Sequence, residues 1–283
     1  MVLGFQLLTG FCVAMAFSQS PIHLSSKSIG QGDLCLIGIR VEGGNPPAVL
    51  WMGKEVFLVA NPQKTEWYGY LVADLTAKPG HYKVVVRMPG SGSEKQLELE
   101  ISEKDYGVRR LTLPKNMVDL DAQTLQRAKK ESKRMKVLWE ATPSPPLWSG
   151  PFIRPVPGKV VGAFGQRSII NDQPRSPHSG VDLKGERGAP IMAINRGQVV
   201  LTGDHFFTGL TVVIDHGGGI LSMYFHLDRI AVEKGERVKK GHIIGLVGST
   251  GRATGPHLHW GIRINGDRID PLRLVALSQQ LEE

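Results

Sequence analysis

Short apolar segments separated by glycine and proline constrain the fold of this chain more than any other feature. The 283 residues include 34 glycines and 18 prolines, and they show neither the collagen period nor low complexity. Glycine tolerates positive φ and proline fixes φ, so clusters of these residues favour turns. The pattern predicts a mostly β protein with short strands and argues against a helical bundle. Since 41% of the residues are hydrophobic, the chain can bury one or two cores.

The N-terminal half contains six apolar stretches with the spacing of an all-β sandwich. Turn clusters at residues 43–47, 61–62, 78–80 and 89–92 separate most of them. Leu97, Leu99 and Ile101 alternate with acidic residues, which is the pattern of a half-buried strand. We therefore expect an immunoglobulin-like β-sandwich domain at residues 27–104. It has no cluster of His, Asp or Glu suited to chemistry, so a role in binding, spacing or covering another part stays open.

Residues 105–150 have a different composition and predict a connector with a helix at about 120–140. Asp119 or Asp121 could cap the helix, because an aspartate side chain accepts hydrogen bonds from the first free N–H groups. The prolines at 143, 145 and 146 end it. The candidate buried positions are Leu125, Ala128, Met135, Leu138 and Trp139.

The first 18 residues predict a signal peptide or an N-terminal anchor. Residues 2–17 are mainly apolar, no charged residue precedes Lys27, and Ala14-Met15-Ala16 has the small-x-small form of a cleavage site. The stretch is short for a membrane span. We expect export to the periplasm or cell envelope, with membrane contact only through an uncleaved N-terminal segment. After cleavage, Cys35 would be the sole cysteine, and its apolar neighbours predict a buried, inert thiol.

The formal net charge of +8 favours an anionic partner. Basic residues are spread along the chain, and the one dense stretch, 129–136, is typical of a solvated helix face. We expect no nucleic-acid binding, because no aromatic-interleaved basic surface or nucleic-acid motif accompanies the charge. A carboxylate-bearing wall polymer stays open as the partner.

Residues 151–275 predict a second β-rich domain, followed by a tail at 276–283. Its expected strands lie near residues 160–163, 181–183, 191–194, 198–202, 210–215, 220–225, 243–247 and 257–264. Two cysteines cannot form a cysteine-rich cluster, so a metal here would need His, Asp or Glu ligands.

Three histidine motifs in this domain carry the candidate chemistry. In His257-Leu258-His259, residues two apart on a strand point the same way, so both imidazoles would enter one cavity. His178 and Asp182 also share a face if their segment is extended. Three such ligands plus an open position for water fit a catalytic zinc site.

The third motif is Tyr224-Phe225-His226-Leu227, where alternation places Tyr224 and His226 on one face. Each motif alone has an ordinary explanation. Two histidines on an edge strand are often solvated, His and Asp four apart arise by chance, and a histidine at a strand end is often hydrogen-bonded locally.

Together the motifs resemble the lysostaphin and LytM-type zinc endopeptidases, which cut peptidoglycan cross-bridges. The resemblance covers about 152–272. The matching segments are 164–167, 178–182, 197–200, 224–227, 235–238, 241–245 and 250–259. It implies a fold of the duplicated hybrid motif type, one Zn²⁺ per chain on His178, Asp182 and His259, and uncoordinated His226 and His257 acting on the substrate.

With this resemblance, we expect a zinc endopeptidase in which a metal-activated water attacks a peptide cross-link. His257 is the expected general base, and His226 with the metal would stabilise the oxyanion, although the two roles are interchangeable. The alternative is a non-catalytic wall-binding regulator of the amidase-activator type with a vestigial metal site. A further hypothesis is that the connector and the loop with Asn171 and Asp172 shield the metal until they are displaced, since a nearby amide or carboxylate can occupy the open coordination position.

Overall fold

A computed structural model describes residues 20–42, 44–90, 92–141 and 144–281. The expected signal peptide or anchor at 1–18 lies outside these residues. No helix in the described ranges is both long and apolar enough to cross a membrane. The expected mostly β fold is confirmed. The strands of the N-terminal part are β1 (Ile22–Leu24), β2 (Ser28–Gly30), β3 (Leu34–Arg40), β4 (Ala48–Trp51), β5 (Lys54–Glu55), β6 (Val59–Ala60), β7 (Glu66–Val72), β8 (Gly80–Arg87) and β9 (Glu94–Ser102).

These nine strands form two sheets around an apolar core. One sheet has the order β1-β3-β7-β6 and the other β2-β9-β8-β4-β5. Strand β4 alternates between exposed and buried residues, so Val49 and Trp51 face the core. The Trp51 Nε1–H donates to the Val72 carbonyl oxygen of the other sheet at 2.7 Å. Cys35 is fully buried in this core, as expected.

The connector contributes both a strand and a helix. Strand β10 (Val108–Leu111) precedes a 3₁₀ turn at Lys115–Met117 and helix α1 (Ala122–Trp139). Asp121 caps α1 by accepting a hydrogen bond from the Thr124 N–H at 2.7 Å, which confirms one of the two expected caps. Leu125 is 42% exposed, so its assignment as a buried position was wrong. The apolar stripe of α1 lies closer to its C-terminal end, where Met135 packs against the sheet described next.

The C-terminal part is one large sheet with short additions. Its elements are β11 (Val160–Gly162), β12 (Arg167–Ile170), β13 (Gln173–Arg175), β14 (Val181–Lys184), β15 (Pro190–Met192), β16 (Gly197–His205), β17 (Gly209–Asp215), β18 (Ile220–Ile230), β19 (Arg237–Val238), β20 (Ile243–Val247), β21 (His257–Ile264), β22 (Asp267–Ile269) and helix α2 (Pro271–Ser278). The central strand order is β11-β14-β21-β18-β17-β16-β19. Strands β12 and β13 form a separate small sheet with β10, which pairs parallel to β12.

The expected C-terminal tail at 276–283 is corrected by helix α2, which crosses that boundary. The Asp270 carboxylate accepts from the Leu272 N–H at 3.0 Å, and Pro271 occupies the first turn, where its missing N–H costs nothing. Ser278 is fully buried, and its hydroxyl oxygen accepts from the Phe152 N–H at 2.9 Å. The helix therefore closes the C-terminal core.

A second apolar core, with residues from both β-rich parts, joins them, and ion pairs connect them further. Leu34, Tyr70 and Val72 from the N-terminal sheets pack in the same cluster as residues of the C-terminal sheet. The Asp74 carboxylate accepts from Arg268 at 2.6 Å, and Asp33 accepts from Arg273 at 2.8 Å. The N-terminal part is therefore packed against the sheet that carries the histidine motifs.

Candidate metal centre

Antiparallel pairing of β14 with β21 places Asp182 directly opposite His259. On β21, Leu258 and Trp260 are fully buried on the other face, so the two-residue alternation expected from the sequence is confirmed. His178 lies just before β14. Its N–H donates to the Gln166 carbonyl oxygen at 2.9 Å, which fixes the turn that carries its ring. The structure thus brings the three predicted ligands together from two segments about eighty residues apart.

Three side-chain atoms converge at this point. His178 Nε2 lies 2.9 Å from His259 Nδ1 and 2.9 Å from Asp182 Oδ1, and His259 Nδ1 lies 2.9 Å from the same oxygen. His178 and His259 are buried, with His259 8% exposed. No other group of three potential metal ligands occurs in the part of the chain that the structure describes.

The hydrogen bonds of these groups favour a cation between them. His178 Nδ1–H donates to the Ala163 carbonyl oxygen at 2.8 Å, so a neutral His178 has a lone pair at Nε2 facing the cluster. Asp182 also offers only lone pairs, because its carboxyl pKa lies well below the usual range. Burial would raise that pKa, but the close contacts with the His178 and His259 imidazoles outweigh it. Burial lowers the pKa of His259. A protonated His259 is therefore disfavoured as the positive charge that holds the three groups together.

A divalent metal ion fits this donor set. Two imidazole nitrogens and one carboxylate oxygen are ligands that zinc accepts, and a catalytic site of this type keeps one position open. The Ala163 carbonyl fixes the tautomer of His178, in the way that outer hydrogen bonds commonly orient metal-binding histidines. Gly180 gives His259 its space, because a Cβ there would lie 2.8 Å from His259 Nε2.

The two remaining predicted histidines face the same cleft. His226 Nδ1–H donates to the Thr250 carbonyl oxygen at 2.9 Å, and His257 Nδ1–H donates to the Gly255 carbonyl oxygen at 2.8 Å. Each ring therefore has only Nε2 available to a ligand. Their ring centroids lie 4.9 Å apart, and His257 Nε2 lies 3.9 Å from Asp182 Oδ1. The pKa of His226 is lowered to about 3, mainly by burial and to a smaller extent by the nearby His259 and His257.

The predicted alternation fails at His226. Its φ is +65°, in the left-handed region that non-glycine residues rarely adopt. Tyr224 and Leu227 pack in the core that joins the two β-rich parts. Phe225 packs on the opposite face of the sheet, in the cluster that contacts helix α1. The expectation that Tyr224 and His226 share a face was therefore wrong, because the backbone reverses its alternation at the histidine. Strained backbone of this kind is often found at functional sites.

The site opens into a cleft of about 1000 Å³. Its lining includes all five predicted site residues. This volume lies at the upper end of the range for ligand-binding pockets, so the cleft has room for a peptide segment.

Comparisons with known proteins identify the family. The model described as Peptidase family M23 matches residues 176–271. A crystal structure from Pseudomonas aeruginosa, assigned to peptidase M23, is 32% identical and covers 87% of this chain and 94% of its own, with a TM-score of 0.66. The chain belongs to peptidase family M23. The family consists of metallopeptidases, so membership implies a metal cofactor, and the His178–Asp182–His259 cluster is where this chain can hold it.

Curated peptidoglycan peptidases are similar to about a third of the chain. The peptidoglycan DD-endopeptidase ShyA of Vibrio cholerae is 41% identical over 98 residues, which are 35% of this chain and 23% of ShyA. The DD-carboxypeptidase/endopeptidase Mpg of Neisseria meningitidis is 37% identical over 106 residues, 38% of this chain and 24% of Mpg. The matched region thus spans about a quarter of the length of these relatives.

Two side chains that were given no role in the sequence analysis contact the predicted ligands. Phe225 stacks on His259 with an interplanar angle of 3°. On the other side, Arg109 Nη1 donates to Asp182 Oδ2 at 3.0 Å, and its Nε donates to Ser168 Oγ at 2.9 Å. Arg109 belongs to the connector strand β10, far from the motifs in sequence. Only the β10–β12 pairing shows that it reaches the metal centre.

The connector borders the M23 cleft, but the Asn171 loop does not shield the metal. The Asn171 amide hydrogen-bonds both backbone groups of Leu113, at 2.9 Å each. Among the described residues, neither Asn171 nor Asp172 lines the cleft. The hypothesis of shielding by this loop was therefore wrong, because its amide is already used to bind the connector.

Proposed function

We propose that this M23 protein is a zinc-dependent endopeptidase that hydrolyses peptide cross-links of bacterial peptidoglycan. The observation that carries the proposal is the convergence of His178, Asp182 and His259 in one cleft with the free Nε2 atoms of His226 and His257. The names of ShyA and Mpg, to which about a third of this chain is similar, support peptidoglycan as the substrate.

The metal ligands are His178 Nε2, Asp182 Oδ1 and His259 Nδ1. A zinc ion bound there supplies Lewis acidity, which lowers the pKa of a water and polarises a carbonyl group. Arg109 holds the second oxygen of Asp182, so that Oδ1 stays directed toward the two histidines.

His257 is the proposed general base. Its Nδ1 proton is committed to the Gly255 carbonyl, so Nε2 can accept a proton from water as the water oxygen bonds to the scissile carbonyl carbon. The C–N bond then breaks, and the same Nε2 returns the proton to the leaving amine nitrogen. The position of Nε2, 3.9 Å from Asp182 Oδ1, places this base beside the ligand cluster.

His226 has a different proposed role from the one expected from the sequence. An oxyanion needs a hydrogen-bond donor, but a neutral His226 has an unprotonated Nε2, because its one proton lies on Nδ1. Its low pKa keeps it neutral near pH 7. We infer that Nε2 accepts a hydrogen bond from the attacking water and orients it for proton transfer to His257.

Export to the cell envelope is part of this proposal. The apolar residues 2–17 and the net charge of +8 support work against an anionic wall outside the cytoplasm. Expression of the full chain in a bacterial host, followed by fractionation, tests the location. Recovery in the cytoplasmic fraction alone would contradict it.

The activity is tested by mass spectrometry of muropeptides released from purified peptidoglycan. We expect the zinc-loaded protein to convert cross-linked to uncross-linked muropeptides, and a chelator to stop the conversion until zinc is restored. An unchanged muropeptide profile with zinc bound would favour the non-catalytic regulator instead.

A further inference from the structure

The charged side chains of the cleft are unbalanced. Four cationic residues line it, namely Arg109, Arg175, Lys184 and Arg252, and Asp182 is the only acidic lining residue among those that the structure describes. Asp182 is already shared by two histidines and Arg109. The remaining cations therefore have no carboxylate inside the cleft to neutralise them.

Arg252 is held in a fixed plane without an ionic partner. Its guanidinium carbon lies 4.3 Å from the centroid of the Phe207 ring, and the backbone N–H of Arg252 donates to the Phe207 carbonyl oxygen at 2.9 Å. No carboxylate forms an ion pair with it within the described ranges. Stacking on an aromatic face orients a guanidinium while leaving its N–H edges free for a planar anion.

Arg175, the last residue of strand β13, contributes a second cation to the lining of the same cleft. Its Nη2 donates to the Gln173 side-chain oxygen at 2.5 Å, and it has no ion pair with a carboxylate in the described part of the chain. Burial lowers the pKa of Arg252, and the charges of Arg175 and Arg109 lower it further. Like charges that line one cleft repel one another, so an anion bound among them would relieve the repulsion.

We propose that Arg252 and Arg175 form a subsite that binds a free carboxylate of the substrate peptide. The subsite lies in the cleft that contains the metal centre. The identity of the peptide that it binds therefore rests on the proposed function. A carboxylate matches the planar fork of arginine through two parallel hydrogen bonds. The site would thus select peptides that carry a free α- or side-chain carboxylate close to the scissile bond.

The test uses synthetic cross-linked stem peptides that differ only by a carboxylate or its carboxamide. One pair is altered at the C-terminal α-carboxylate and a second pair at the side-chain carboxylate, so the preferred pair shows which group is bound. Affinity is measured by fluorescence anisotropy and cleavage by chromatography, both with the zinc-loaded protein. The variants are R252Q and R175Q. R237Q removes a charge from strand β19, outside the cleft, and serves as the matched control.

We expect the wild-type protein and R237Q to prefer one carboxylate peptide over its carboxamide by about 10-fold or more, the scale of a hydrogen bond to a charged group. R252Q and R175Q should lose this preference while binding the carboxamide as the wild type does. Arg175 is exposed, so R175Q reports on the subsite even if R252Q folds poorly.

Two outcomes separate this inference from the proposed function. Cleavage of both members of each pair at equal rates, or retention of the preference by both variants, would overturn the subsite and leave the endopeptidase intact. Arginine-dependent preference in binding without cleavage of any peptide would support the subsite and contradict the endopeptidase.

Discussion

Substitution of Gly162 by alanine tests how tightly the fold positions the ligand carboxylate. Gly162 pairs with Asp182 across strands β11 and β14. A Cβ at this position would lie 2.3 Å from Asp182 Oδ2 and 2.9 Å from its carboxyl carbon. The φ of Gly162 is outside the left-handed region, so alanine adds a steric clash without backbone strain. Restoring an ordinary contact requires the carboxylate to move by about 1 Å, since unbonded heavy atoms rest at ~3.5 Å.

Both oxygens of the displaced carboxylate already have partners. Arg109 holds Oδ2 at 3.0 Å, and Oδ1 lies 2.9 Å from each ligand histidine. A misplacement of about 1 Å costs on the order of 10²-fold in rate, and altered support of a ligand costs about 10–100-fold in metal affinity. We expect G162A to show both losses while retaining its far-ultraviolet circular dichroism.

The assay is competition for zinc with a metal-binding indicator, followed by release of muropeptides at saturating zinc. G203A is the matched control, because a Cβ at Gly203 would meet only His205 Nε2 at an ordinary 3.7 Å. It should behave as the wild type. If G162A kept the metal affinity and the rate of the wild-type protein, the close packing of β11 on the carboxylate would not control the site, and the reasoning would be refuted.

Three further substitutions separate metal binding, proton transfer and packing. D182N should abolish stoichiometric zinc binding in plasma emission spectrometry, because the amide cannot supply the negative ligand; a full zinc content would contradict the ligand assignment. H257Q should retain zinc but lower kcat by about 10²–10⁴-fold, the usual contribution of a general base; an unchanged kcat would remove His257 from that role. Y224F should leave kcat unchanged, but it should lower the free energy of unfolding in urea by about 1–3 kcal/mol. The reason is that the Tyr224 hydroxyl accepts from the buried Ile194 N–H at 3.2 Å. A loss of activity with full stability would contradict a purely structural role of Tyr224.

Much of the fold and of the metal centre was predictable because it depends on local alternation. The eight strands expected in the C-terminal part all occur, and the burial of Leu258 and Trp260 follows from the two-residue period of β21. The same period correctly placed His257 and His259 on one face. Helix α1 and its Asp121 cap were predictable for a similar reason, since a cap depends only on its own turn.

The failures share a different physical origin. Tyr224 was placed wrongly because a single positive φ at His226 reverses the alternation, and no residue type near it announces that reversal. Arg109 was missed because its role depends on a parallel pairing between segments that are distant in sequence. Residues 276–278 were assigned to a tail, but they continue helix α2, and Ser278 bonds to the backbone of Phe152, a partner that is distant in sequence.

The central claim is that His178, Asp182 and His259 hold one catalytic metal ion. Anomalous X-ray diffraction at the zinc absorption edge, from crystals of the zinc-loaded protein, tests it most directly. We expect a single strong peak bounded by His178 Nε2, Asp182 Oδ1 and His259 Nδ1, with His226 and His257 outside bonding distance. A peak at other residues, or no peak at this cluster in protein that binds zinc stoichiometrically, would contradict it.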